Sequence, residues 1–449
     1  MQASNERTSL AEADRPSQSG RQTDYTNSWQ HSIWLIVLVA FLVRLAVITI
    51  GHTYRITPRL DHFQYGWEMG RLARSIATGR GFSSPTDGSS GPSAWAPPLY
   101  PYLLAGLFKV FGIYSASSAW VILTFNSVFS ALTCLTVSRI GERVYGAGVG
   151  RAAAWTWALF PYAIYWPTRV VWETSLTGFL LSLALLVTLR LGEPRTREGH
   201  ATRSWILYGL LWGVIAVTNT AVISMMPFCL LWLLYRGSWR SHLAGAALCV
   251  LTTFLVMTPW LIRNYAVFGK FVFIRDNLPL ELHMANNDRS AALWTRAEHP
   301  GNNPESMRRF QELGEMRFME EKQREVNQFI RDHPGTFLLF SLERAGYFWI
   351  GPPQVNIIAG YDLRIARHVA FLIPAVFAFA GLWLTIRKRK PGAFLFACFL
   401  LLYPIPYYMV QPFPRYKHPI EPEMILLAVY VFWEARRIQL RWPLSHKHA

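Results

Sequence analysis

The chain has 449 residues, of which 52% are hydrophobic, 15% aromatic and only 16% charged; soluble domains carry about 25% charge. That deficit, with repeated long apolar runs, excludes an ordinary soluble domain and predicts an all-α, polytopic transmembrane helical bundle. The net charge of +17 fits basic residues gathered at cytoplasmic helix ends beside anionic lipid, so no nucleic-acid partner is invoked.

Residues 1–31 are polar, with Arg7, Arg15 and Arg21 set against Glu6, Glu12, Asp14 and Asp24. This composition reads as a disordered cytoplasmic tail, too long and too acidic for a signal-peptide n-region. The apolar run 32–51 then forms an uncleaved first span. Arg44 interrupts it and either snorkels or packs against neighbouring helices.

A first loop, 52–116, follows. It carries Asp61 and His62 side by side, then Tyr65, Trp67, Glu68 and several arginines. Further spans are expected near 117–137, 150–166, 172–190, 204–218, 220–236, 243–262, 366–386, 392–411 and 421–437. Cys134, Cys229, Cys249 and Cys398 all fall inside apolar runs, far apart, and read as small buried residues.

Orientation follows from Lys and Arg in the short turns, above all Arg387, Lys388, Arg389 and Lys390. With these turns cytoplasmic, ten spans return a short tail, 438–449, to the cytoplasm. The apolar segments 97–111 and 337–350 then lie along the outer surface as interfacial helices. A crossing by 337–350 would invert the topology beyond it; crossings of this kind raise the count to 11–13. Within the large outer loop, 264–365, apolar residues recur at helical spacing over 305–333: Met307, Phe310, Leu313, Met316, Met319, Val326 and Ile330. Asn303-Pro304-Glu305 marks the start of that helix and His333-Pro334-Gly335 its stop. Its polar face, of mixed charge, reads as solvated.

Several residues stand out chemically. Asp61, a loop acid at an interface, is either simply solvated or, as an acid near apolar surface, takes a raised pKa and is available as a base. Glu173 lies at the mouth of a span, where it either compensates the helix dipole or takes part in chemistry. Arg263 and Asn264 close the seventh span; the arginine either anchors the interface or holds an anionic headgroup such as phosphate. Arg415, Lys417 and His418 form a basic turn on the expected outer face, against the positive-inside tendency, and an anionic lipid-linked ligand explains that placement. Neither the acids nor the histidines fall at a recognised metal spacing, and no phosphate-binding glycine loop appears.

Six stretches taken in order resemble a known family. They are DHFQYGWEMGRLARSIATGRGFSSP, APPLYPYLLAGLFKVFG, FPYAIYWPTRVVWETSL, PWLIRNYAVFGKFVFI, FIRDHPGTFLLFSLERAGYFW and RYKHPIEPEMILLA. The chain resembles the GT-C superfamily of polytopic glycosyltransferases, in particular bacterial enzymes similar to protein O-mannosyltransferases and to the aminoarabinose transferase of lipid A. The resemblance covers residues 32–437. It implies an enzyme of the inner (plasma) membrane with its active site on the periplasmic or extracellular side. Such an enzyme moves a sugar, with inversion, from a polyprenyl-phosphate donor to an acceptor. It implies Asp61 as general base, Glu173 as its assistant or a sugar ligand, and Arg263, Arg415 and Lys417 as phosphate ligands. His62, Asn264 and His418 belong to the same binding region, and Tyr65, Trp67 and Trp95 could stack on sugar rings. Trp95-Ala96 stands where protein mannosyltransferases carry histidine before the Pro-Pro turn, so a lipid or glycan acceptor is expected rather than a protein. No cofactor is assigned, and the need for a divalent metal stays open. A polyprenyl-linked glycan flippase without transferase activity is the alternative, weakened by the scarcity of charged residues inside the spans.

Overall fold

The computed structural model describes residues 32–56, 65–86, 88–193, 202–237, 239–293, 295, 298–353, 357–358, 361–362 and 364–441. The expected tail at 1–31, Asp61, His62 and the last eight residues lie outside the described residues.

The ten expected spans all fall on helix. They are α1 (Ile33–Thr49), α4 (Ala116–Tyr145), α5 with α6 (Ala147–Leu159, Pro161–Arg169), α7 (Thr174–Leu191), α8 (Thr202–Thr218), α9 (Met226–Arg236) after a 3-10 turn, α10 (Trp239–Phe268), α15 (Arg364–Arg387), α16 with α17 (Ala393–Leu401, Ile405–Met409) and α19 (Glu421–Arg441). Between them lie α2 (Glu68–Ala77), α3 (Leu99–Phe111), α11 (Leu278–Ala285), α12 (Pro304–Leu313), α13 (Glu315–Asp332), α14 (Pro334–Ile350) and α18 (Pro414–Lys417). One two-residue antiparallel pairing, Ile357↔Asp362 and Ile358↔Tyr361, completes the described backbone pairing into a ladder. Four described helices are long and apolar enough to cross a membrane: Ala116–Tyr145, Thr174–Leu191, His242–Phe268 and Ile365–Arg387. On the last two, Phe254, Leu255, Ile262, Ile373, Val376 and Trp383 stay exposed, as a helix facing lipid rather than water allows.

Small residues set the helix contacts. A Cβ on Gly141 would lie 2.5 Å from the Gly150 Cα, so α4 and α5 cross with their backbones touching. Proline sets the breaks. Pro161 lacks an N–H and cannot continue α5, which leaves the last α5 carbonyls without intrahelical donors. Arg44 of α1 fills that gap. Its guanidinium donates to the carbonyls of Ala40 (2.9 Å), Ala158 (3.0 Å), Trp157 (3.3 Å) and Ala163 (3.3 Å) and to Ser130 Oγ (3.0 Å). It is fully buried; of its two expected fates, packing against neighbouring helices is the one found.

Three boundaries differ from the sequence expectation. The run 305–333 is two helices, because Gly314 takes φ 72° between α12 and α13. Pro334 starts α14 instead of ending the run, since its missing N–H costs nothing in a first turn. The C-terminal helix continues through 438 to Arg441. The polar face of that loop is also not wholly solvated: Glu315 is buried, and α12 and α13 pack Phe310, Phe318 and Met319 around Trp95.

Candidate functional site

The segments between the spans pack on one another. Arg263, at the end of α10, donates to the carbonyls of Ser93 (2.6 Å) and Phe82 (3.0 Å) and lies 4.7 Å from the Trp260 ring. Asn264 is buried and donates to the carbonyls of Val272 and Ile274. These two residues therefore clasp the loops 82–93 and 272–274, and neither lines the cavity described next.

A cavity of about 480 Å³ opens where these loops meet the bundle. Its wall holds three acids, Glu68, Glu173 and Glu281, and two guanidinium groups, Arg275 and Arg415. Trp95, Trp172, Tyr407 and Tyr416 supply aromatic faces, and Asn219 and Asn277 supply amides.

Each functional side chain is placed by a local cause. Gly66 takes φ 79°, and a Cβ there would sit 2.3 Å from the Val171 carbonyl oxygen. This close approach brings the start of α2, with Glu68, against the segment that carries Glu173. Glu173 occupies the N-cap position of α7 yet makes no side-chain capping bond. Its Oε1 instead accepts from Asn219 Nδ2 at 3.3 Å, and its Oε2 is buried without a partner. Arg275 Nε donates to Asn277 Oδ1 at 2.6 Å, and Asn277 Nδ2 to Glu281 Oε1 at 3.4 Å. Arg415 lies 4.2 Å from the Trp172 ring centroid, 4.4 Å from Phe413 and 4.9 Å from Tyr416, and its Nε has no hydrogen-bond partner.

The basic turn 415–418 does not act as one patch. Two residues of a helix are turned by about 200°, so Lys417 faces away from Arg415. It donates to the Phe371 carbonyl at 3.1 Å and sits 4.0 Å from that ring. His418 pairs with Glu421 at 2.8 Å and stacks on Trp157. Tyr65 donates to the Ser115 carbonyl at 2.9 Å, inside the core. Trp67 packs with Trp166, Val170 and Trp172. Of the residues singled out in the sequence, the structure thus brings Glu173, Arg415 and Trp95 together.

The sequence reading assigned no role to Glu68, Glu281, Arg275, Asn219, Tyr407 or Tyr416. The signal for two of them, Arg275 and Glu281, was an alternation of charge inside an apolar loop, FVFIRDNLPLEL at 271–282.

Electrostatics divide the acids. Burial pushes the Glu173 carboxyl up to about 7 against the pull of its own backbone hydrogen bond and of Arg415. Burial also raises Glu281. Burial acts upward on Glu68 too, but the hydrogen bond from His299, with Arg415 behind it, holds it below the usual carboxylate range. One ionised carboxylate, one carboxyl that titrates near neutrality and two guanidinium groups in an aromatic-lined cavity suit a ligand with an anionic end and a hydroxylated end.

The helical architecture has known counterparts. Archaeoglobus fulgidus oligosaccharyltransferase AglB, in complex with an inhibitory peptide and a dolichol-phosphate, aligns with a TM-score of 0.55 at 13% identity, over 94% of this chain and 53% of its own. The apo form of the oligosaccharyltransferase from that organism aligns with a TM-score of 0.54 at 14% identity, over 94% and 54%. The fold is the one these archaeal oligosaccharyltransferases share. ArnT from Cupriavidus metallidurans, bound to undecaprenyl phosphate, gives a TM-score of 0.39 at 15% identity, over 91% and 78%. The dolichyl-phosphate-mannose-protein mannosyltransferase family matches residues 96–262, a stretch that includes Glu173 and Asn219. No curated protein sequence matches the chain. The chain spans about half the length of the archaeal enzymes it aligns with.

Proposed function

We propose that this protein is a GT-C glycosyltransferase that moves a sugar from a polyprenyl-phosphate donor to a lipid or glycan acceptor on the outer face of the membrane. The observation that carries the reading is Arg415. Its guanidinium is largely buried in the cavity wall among Trp172, Phe413 and Tyr416, with Nε unpartnered and three acids opposite. A buried cation with a free donor is costly unless it meets an anion, and a glycosyl phosphate brings one. The dolichol-phosphate of the archaeal relative is an anionic lipid of the same chemistry.

A glycosyl phosphate is already activated, so the protein must position the acceptor, take a proton and stabilise the departing phosphate. In the proposed step the acceptor oxygen attacks the anomeric carbon while the carbon–oxygen bond to phosphate breaks. Polyprenyl phosphate leaves with that electron pair, and the configuration inverts. Asp61 takes the acceptor proton, the role the family resemblance assigns to it. Arg415, with Arg275 beside it, holds the leaving phosphate. Arg263 and Lys417, already committed to carbonyls, act as braces.

The test compares wild type with Asp61→Asn in membranes given a panel of labelled polyprenyl-phosphate sugars. Transfer of label by wild type, lost in the variant while donor still binds, is the expected result. Donor binding by wild type with no transfer to any acceptor present would overturn the proposal in favour of a flippase.

A further inference from the structure

His299 is almost fully buried, yet it belongs to a loop and not to the bundle. Its ring sits between two indoles, edge to face with Trp67 at 5.7 Å and with Trp95 at 5.6 Å. Its Nδ1 accepts the Gly301 N–H at 2.9 Å. An accepting Nδ1 carries no proton, so the hydrogen-bond network assigns the ring proton to Nε2. That nitrogen lies 3.5 Å from Glu68 Oε1. Gly301 makes the arrangement fit, because a Cβ there would come within 3.1 Å of Nδ1 and 3.3 Å of the Trp67 ring. The imidazole is thus fixed in position by two rings, in tautomer by a backbone donor, and in direction toward a carboxylate that lines the cavity.

We propose that Glu68 holds hydroxyl groups of the substrate and that His299 is the positioning residue that keeps its carboxylate ionised and aimed. The proposal rests on the transferase reading and names what recognises the hydroxylated end of the ligand. A carboxylate repels phosphate, so Glu68 cannot serve the end that Arg415 and Arg275 hold. Hydroxyl groups are what an ionised acceptor in an aromatic-lined wall takes. They come either from the donor sugar or from the acceptor. The groups acting on Glu68 are His299, Arg415, Glu173 and Glu281, with Arg71 one turn further along α2. Removal of the Nε2–H donor raises the Glu68 pKa, because the burial that opposes ionisation is then no longer offset.

The experiment uses the full chain in membranes, as wild type, Glu68→Gln, His299→Leu and His299→Gln. Transfer is followed from about pH 5 to 8, and binding is measured for both bare polyprenyl phosphate and its glycosylated form. Glu68→Gln and His299→Leu are expected to lose about tenfold or more in kcat/KM, the size of one hydrogen bond to a charged group. Bare polyprenyl phosphate should bind all four proteins alike. His299→Leu should move the acid limb of the rate profile to higher pH, and His299→Gln, whose amide can accept at one atom and donate at the other, should restore both rate and profile. Loss of the preference for glycosylated over bare lipid places the hydroxyls on the donor; a raised acceptor KM places them on the acceptor. Unchanged kinetics and binding in Glu68→Gln would overturn the assignment. An unmoved acid limb in His299→Leu, failure of the glutamine rescue, or loss of bare-lipid binding would overturn the role of His299. If wild type transfers nothing, the transferase reading falls, and the preference for glycosylated lipid in wild type against Glu68→Gln still decides the present proposal.

Discussion

Two side chains in the cavity wall make opposite demands on their surroundings. Arg415 is flat, permanently charged and packed against the Trp172, Phe413 and Tyr416 rings. Lysine has no planar face to stack and no fork to meet a phosphate, so Arg415→Lys should weaken donor binding about tenfold or more, read by titration with polyprenyl-phosphate sugar. An affinity equal to wild type would mean that any cation suffices. Glu173, in contrast, is an acid whose burial brings its pKa to about 7. Below that pH its unpartnered Oε2 carries a proton and can donate; above it the carboxylate cannot. Wild-type transfer is therefore expected to fall as pH rises through about 7. Glu173→Gln keeps a donor at every pH and should retain the rate at acidic pH while losing that decline. A variant inactive across the whole range would instead assign Glu173 an anionic role. Glu173 and Arg415 could be found from sequence because each is a charge beside a span. Glu68 and Arg275 could not, because a charged residue in a loop is ordinary until folding closes a cavity over it.

Helix breaks govern the next scale. Apolar length located all ten helical regions, because a membrane-sized run leaves few alternatives. It did not reveal that three of these regions are interrupted, at Phe160-Pro161, before Met226 and at 402–404, since hydrophobicity says nothing about where the backbone bonds stop. Pro161 was visible and Arg44 was visible, but their connection needs the fold. Arg44→Met removes the donors of five hydrogen bonds and leaves the carbonyls of Trp157 and Ala158 buried without them. Each orphaned group costs about 1–3 kcal/mol. The expected outcome is a clearly lower melting temperature in detergent, with donor affinity preserved in the folded fraction. A melting temperature equal to wild type would show that α5 and α6 hold without the clasp. Gly314 teaches the same lesson in the loop: periodicity ran straight through it, whereas a single positive φ split the helix in two.

For the molecule as a whole, the loops must stay assembled over the bundle if the cavity is to exist, and one buried acidic pair makes that assembly depend on pH. Asp276 donates its N–H to the Ala94 carbonyl at 3.1 Å, and its carboxylate oxygens are buried without a hydrogen-bond partner. Glu315, the first residue of α13, accepts the Ala94 N–H. Both acids thus meet at Ala94, beside the cavity residues Trp95, Ala96 and Arg275. Burial pushes Asp276 up to about 7, and burial together with Asp276 raises Glu315 well above the carboxylate range. A carboxyl whose pKa is higher in the folded state stabilises that state fully below its ordinary value, and the contribution is lost as pH rises through the folded value. Docking of α13 onto the 94–96 segment should therefore weaken progressively between about pH 4 and 7, from the ordinary aspartate value to the value Asp276 takes when buried. Hydrogen exchange across Glu315–Asp332, corrected for the intrinsic effect of pH, should show protection falling over that window. The double variant Asp276→Asn, Glu315→Gln keeps an acceptor for Ala94 and removes both titrating carboxyls, so its protection should stay level with pH. If wild type and this variant lose protection in parallel, the carboxyl pair does not govern how the loops close over the cavity.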